Sequence, residues 1–175
     1  MKILIEFFMV AAVLIFSNTA ALAKDIYPET LENGNLILVD GGMGVGRYAD
    51  KSSVSIDKYA PPFYELSIDI FSVNFSDKYY RENDTYIDGP YNIGESFKLS
   101  FKYNWDSKTI FIKQNDLWKV WDLNRSYSHA EGNPLYPNAA EVAFYSAYRM
   151  KFFGDKLNGD GYPVISDGIY SALGI

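Results

Sequence analysis

The stretch Phe63-Tyr-Glu-Leu-Ser-Ile-Asp-Ile-Phe-Ser-Val-Asn-Phe75 decides the fold class. Tyr64, Leu66, Ile68 and Ile70 fall on one side of an extended chain, and Glu65, Ser67 and Asp69 on the other. Such alternation belongs to a strand with one buried and one wet face. After Ile70 the phase reverses: Phe71, Val73 and Phe75 are apolar, while Ser72 and Asn74 are polar. One extra residue exchanges the two faces of a strand, so the reversal predicts a β-bulge or a bend near Ile70-Phe71.

Working outward, Phe97, Leu99, Phe101, Tyr103 and Trp105 alternate with Lys98, Ser100, Lys102 and Asn104, the cleanest strand in the chain. Asp106-Ser107 reads as a tight turn into Thr109–Ile112, and Gln114-Asn115-Asp116 as the next turn, into Leu117–Trp121. These three strands form a meander. On the N-terminal side, Leu36–Val39, Arg47–Asp50 and the segment of Val54 and Ile56 read as extended, with Pro61-Pro62 as a breaker. Residues 24–35 are polar and read as a lead-in. Asn138–Phe153 is the predicted helix, entered after Pro137 and stopped at Gly154. Ala140, Ala143, Phe144, Ala147 and Met150 share one of its faces. That stripe is expected on the sheet face of Phe97, Leu99, Phe101 and Tyr103, with Glu141 on the wet side. The reading is therefore α+β: a mainly antiparallel, bulged β-sheet or partial barrel of about five to seven strands, covered by one C-terminal helix. Residues 24–175 make a single domain with a loop-like tail from about 155.

Composition narrows the chemistry. The chain has 175 residues, of which 48% are hydrophobic, enough for a sizeable core. Sixteen Lys+Arg against 22 Asp+Glu leave a net charge of -6, which argues against nucleic acid and anionic lipid as partners. The absence of Cys excludes disulfides, thiolate catalysis and cysteine-held metals, and the single His excludes a multi-histidine site. No metal and no cofactor are expected.

The first 23 residues have the layout of a secretory signal peptide. Lys2 supplies the charge, Phe7–Phe16 is an uninterrupted apolar run, and Ala21-Leu22-Ala23 is a small-x-small site. A spanning helix needs roughly 20 apolar residues, so cleavage after Ala23 is the expectation, with no membrane contact once the signal is removed. Export without cysteine suits a bacterial envelope, periplasmic or secreted protein.

Five constellations could carry chemistry. Asp40-Gly-Gly-Met-Gly-Val-Gly46 lacks the following helix and the Lys-Ser/Thr of a phosphate loop, and reads as a flexible connection between strands. Asn158-Gly-Asp-Gly161 has Lys156 where a calcium loop needs a carboxylate, and reads as a turn. His129 and Glu131, with Ser126 and Ser128 nearby, are the only imidazole–carboxylate pair and support an envelope hydrolase as an alternative function. Asp50, Asp57, Glu65 and Asp69 offer carboxylates for a catalytic pair. Tyr79, Tyr80, Trp118, Trp121, Tyr127 and Tyr136 could form a platform for sugar or peptide, although a small sheet also needs large residues in its core.

Arg47-Tyr-Ala-Asp-Lys-Ser-Ser-Val54, Tyr59-Ala-Pro-Pro-Phe-Tyr-Glu-Leu66 and Ala140–Gly154 together resemble small exported proteins of anaerobic diderm Firmicutes. The first of these stretches is also similar to surface-adhesin-E-like domains, in which a Tyr-x-Asp-x-x-Ser segment enters a β-rich fold. The resemblance implies an exported bacterial protein and supplies no catalytic residue. The leading expectation is a non-catalytic binding or interaction module with an envelope or extracellular ligand. A hydrolase centred on His129 and a carbohydrate-binding domain are the alternatives.

Overall fold

The computed structural model describes residues 27–42, 44–75, 91–122 and 134–175. The proposed signal segment and its cleavage point at Ala23 lie outside them. So do Tyr79, Tyr80, Tyr127, His129 and Glu131.

The described residues form an open, wholly antiparallel sheet of eight strands. They are β1 (Thr30–Leu31), β2 (Leu36–Gly42), β3 (Val45–Asp50), β4 (Ser55–Ala60), β5 (Phe63–Phe75), β6 (Tyr91–Asn104), β7 (Thr109–Gln114) and β8 (Leu117–Val120). The order is β1-β2-β3-β5-β6-β7-β8, and β4 also pairs with β5. Among the described residues two α-helices follow, α1 (Leu135–Tyr148) and α2 (Asp167–Leu173). The tail from about 155 thus carries a helix of its own. Among the described residues no helix is long and apolar enough to cross a membrane.

β5 organises the sheet. One edge carries β6 along its length; the other carries β3 beside Ile70–Asn74 and β4 beside Phe63–Ser67. Between β3 and β4 the chain steps aside in a 3-10 turn, Lys51–Ser53, which Asp50 caps by accepting from the Ser52 N–H at 2.8 Å. Ser53 Oγ accepts from the Asp69 N–H at 2.8 Å, so the β5 amide passed over by both neighbours is still satisfied.

The phase reversal in β5 has a different cause from the one its sequence suggests. Pairing with β3 runs unbroken from Ile70↔Ala49 to Asn74↔Val45. A register shift does fall between Phe71 and Val73, but its extra residue is on β6, where Ser96 to Ile93 spans one residue more. β5 keeps its phase, and the sheet has two cores on opposite faces. Tyr64, Leu66, Ile68 and Ile70 join the main core with Leu99, Phe101, Tyr103 and α1. Val73 and Phe75, with Phe71 beside them, join Tyr27, Leu31, Leu36 and Tyr48 on the other face. The lead-in before β2 therefore has buried anchors, Tyr27 and Leu31.

The glycine-rich run connects two strands, and most of it is itself strand, with Gly41↔Gly46 and Gly42↔Val45 paired in the β2–β3 hairpin. Its glycines make room for rings. A Cβ on Gly41 would lie 2.7 Å from the Tyr27 ring, and one on Gly46 would lie 2.6 Å from the Tyr48 ring. At the far end of the sheet, Asn115 and Asp116 both take positive φ (47° and 61°), as a two-residue type I′ hairpin turn requires.

Helix α1 is buried on nearly every side over its first ten residues, not on a stripe. Ala140, Ala143 and Phe144 pack on the sheet as expected, with Phe144 5.0 Å from the Tyr103 ring and 5.5 Å from Trp105. The ends of the expected contact fail: Phe97 is 40% exposed and Met150 is 44% exposed. α1 stops at Tyr148, with Arg149 in the left-handed conformation (φ 57°), ahead of the predicted stop at Gly154. The chain then folds back, and Phe152, Phe153, Ile165, Ile169 and Tyr170 join the main core. This covering layer is why a helix with so many apolar sides is stable here.

Candidate functional site

Cross-strand pairing sorts the sheet's residues into rows. On the helix side, Tyr64, Tyr103 and Ile110 align, as do Leu66, Phe101 and Ile112, and all six are buried. On the opposite side one row runs across five strands: Lys58, Glu65, Lys102, Phe111 and Val120. None of these five is buried, and Val120 is 61% exposed. Flanking rows place Phe63 beside Asn104 and Thr109, Asp69 beside Lys98, and Lys113 beside Trp118. The Lys102 ammonium stands 5.7 Å from the Phe63 ring centroid, and Lys98 pairs with Asp69 at 3.6 Å. The second core occupies this face only at the β1–β3 end, so the β4–β8 end presents a band of lysines and apolar rings.

The candidate carboxylates separate on this frame. Glu65 and Asp69 share the open face but are four residues apart on one strand, about 13 Å, beyond the roughly 5–9.5 Å of a glycosidase pair. Asp57 sits at a register shift of β4, where it accepts from Ser55 Oγ at 3.1 Å. Asp50 is committed to its turn, accepting from Ser52 and from Asn35 Nδ2 (2.7 Å). Asp57 also accepts from Ser67 Oγ at 3.5 Å, which places it on the side of β5 that carries Glu65 and Asp69.

The aromatic candidates divide as well. Trp121 packs 4.9 Å from Tyr136 against the main core, so these two do not form a surface platform. Trp118 lies half-buried on the open face. In the Asn158–Gly161 turn, Asn158 Oδ1 accepts from the N–H groups of Asp160 (3.0 Å) and Tyr162 (2.9 Å), so this oxygen serves the turn.

One group contradicts its sequence reading outright. Glu141, expected on the wet side of the helix, is fully buried. Its Oε1 accepts from the Phe152 N–H at 3.0 Å and the Tyr170 hydroxyl at 3.1 Å; its Oε2 accepts from the Phe153 N–H at 2.9 Å. Burial pushes its pKa above the ordinary glutamate value, against those three hydrogen bonds and the cation of Lys108. The Lys108 amine lies 3.0 Å from the Trp105 ring centroid, and burial lowers its pKa. Tyr103, held well above the usual tyrosine range by burial and by Glu141, stays neutral and donates to the Ala140 carbonyl. These groups make a polar seam inside the main core, sealed by the C-terminal segment. A helical wheel places Glu141 away from the alanine stripe, and no local signal shows that residues 152–170 return to cover it.

Comparison of the chain with family models, with curated proteins and with solved structures finds no match.

Proposed function

We propose that this chain is an exported, non-catalytic binding module that presents the β4–β8 end of its open sheet face to an envelope or extracellular ligand. The observation that supports the reading is the row Lys58, Glu65, Lys102, Phe111 and Val120, with Phe63 40% and Val120 61% exposed beside it. Exposed apolar side chains ringed by charge are the usual makeup of an interaction patch. The half-exposed Trp118 beside Lys113 favours a second, narrower reading, in which the face takes carbohydrate by ring stacking.

Binding to isolated bacterial envelope fractions and to a glycan array tests both. Phe63→Ser with Val120→Lys should cut retention on envelope fractions at least tenfold while leaving the thermal midpoint nearly unchanged. Retention equal to that of the parent protein would refute the face as the binding surface. Array signal lost in Trp118→Ala would select the carbohydrate reading, and a blank array would reject it. Export is tested separately: protein recovered outside the cytoplasm should begin at Lys24 by intact mass, and an intact Met1 there would overturn it.

A further inference from the structure

We propose that residues 149–175 act as a strap that opens as one unit, with the Glu141 carboxylate as its latch and a proton controlling that latch. The strap is built for such motion. Between Arg149 and Ser166 it holds no helix or strand, only the isolated bridge Leu157↔Pro163. It is anchored by apolar side chains, with Phe152 0%, Ile165 2% and Ile169 3% exposed, and by the bonds that Phe152, Phe153 and Tyr170 donate to Glu141. One side chain on α1 thus joins the strap's beginning to its terminal helix.

Detaching the strap would move Glu141 from a dry site into water and remove all three donors at once. In the closed state burial favours the protonated carboxyl and the three donors favour the carboxylate, so opening is linked to pH with the sign of the larger effect. The groups facing the latch set the direction. Tyr103 faces it from β6, Lys108 from the turn after β6, and Tyr170 from α2. Behind them, Tyr148 acts on Tyr103, Asp155 on Tyr170 and Lys156 on Lys108, while the Lys151 amine stands 4.1 Å from the Tyr170 ring centroid. Burial outweighs the donors and Lys108, so the closed strap holds the Glu141 proton more tightly than the open one. For an acid raised in the closed state, closure is fully favoured below the ordinary glutamate pKa, about 4.3, and weakens as pH rises through the closed-state value.

Hydrogen exchange of individual amides reads this directly. The protection factors of Phe152 and Phe153 should fall between pH 4 and pH 8, by about tenfold for each pH unit separating the closed and open values. Phe101 and Ile110, in the sheet, should stay more protected throughout. Glu141→Gln should flatten the pH profile of the strap amides. Protection at Phe152 and Phe153 that is constant or rising with pH would overturn the latch. Protection there equal to that of the sheet would overturn the strap as a separate unit. The parent protein decides both points even where the Gln variant does not fold, and an unchanged profile in a folded Gln variant would refute Glu141 as the controlling group.

Discussion

The hydroxyl of Tyr103 donates to the carbonyl oxygen of Ala140 at 2.9 Å, a side chain of β6 reaching across the buried interface to the backbone of α1. Like the bond from Asn138 Nδ2 to the Val39 carbonyl at 2.9 Å, it is a directional tie between helix and sheet. Tyr103→Phe keeps the ring contacts and removes only this bond. The expected loss is about 0.5–1.5 kcal/mol in a urea titration, the usual net worth of one buried hydrogen bond. No loss would mean that the ring of Tyr103, and not its hydroxyl, carries its contact with the helix.

Glu141→Ala should be among the costlier single changes in the protein. It strands the Phe152 and Phe153 N–H groups in the core, while the Tyr170 hydroxyl retains the Gly154 carbonyl at 3.2 Å. At about 1–3 kcal/mol for each unsatisfied buried donor, the expected destabilisation is about 2–6 kcal/mol. A solvent-exposed glutamate in the same helix would give no more than about 0.5 kcal/mol. Denaturant midpoints of the two proteins separate these cases.

Phe144→Ala and Met150→Ala test where the helix contact ends. Phe144 is fully buried among Tyr64, Tyr103, Trp105 and Phe152, and its removal should cost about 3–5 kcal/mol. Met150 lies past the end of α1 and is 44% exposed, so its truncation should cost no more than about 0.5 kcal/mol. Comparable losses at both positions in thermal unfolding would contradict the packing described.

The hairpin glycines differ in what surrounds them. A Cβ at Gly46 meets the Tyr48 ring at 2.6 Å and the Phe75 ring at 3.2 Å, whereas one at Gly42 meets nothing within 4 Å. Gly46→Ala should therefore destabilise by about 1–3 kcal/mol through overpacking, and Gly42→Ala by much less. Differential scanning calorimetry of the two variants gives the comparison, and equal midpoints would refute the seating of the rings.

The sheet was legible where one local period suffices. Leu99, Phe101 and Tyr103 alternate with polar neighbours and face the helices, and the Asn115-Asp116 turn falls where its residues place it. The reversal at Ile70-Phe71 was visible but ambiguous. A strand with one extra residue and a strand serving two cores leave the same pattern, and only the pairing with β3 tells them apart. Glu141 was misread for a related reason. Helical spacing reports what a residue's own helix turns toward the sheet, whereas the burial of Glu141 comes from a segment with little periodicity, 11 to 29 residues later. The open face became visible as a unit only once the register aligned Lys58, Lys102 and Val120 from three separate strands.

Because β5 commits Tyr64, Leu66, Ile68 and Ile70 to one core and Val73 and Phe75 to another, it tolerates exchange far better than a change of length. Replacing Ile68 by another aliphatic residue asks one core to repack, at less than about 1.5 kcal/mol. Inserting a single residue between Ile70 and Phe71 would instead turn Phe71, Val73 and Phe75 over together, withdrawing each from its core at about 1.5–3 kcal/mol per side chain. Homologous chains should therefore vary freely in the hydrophobic letters of this strand while preserving the number of residues from Tyr64 to Phe75, with insertions and deletions displaced into the connections on either side.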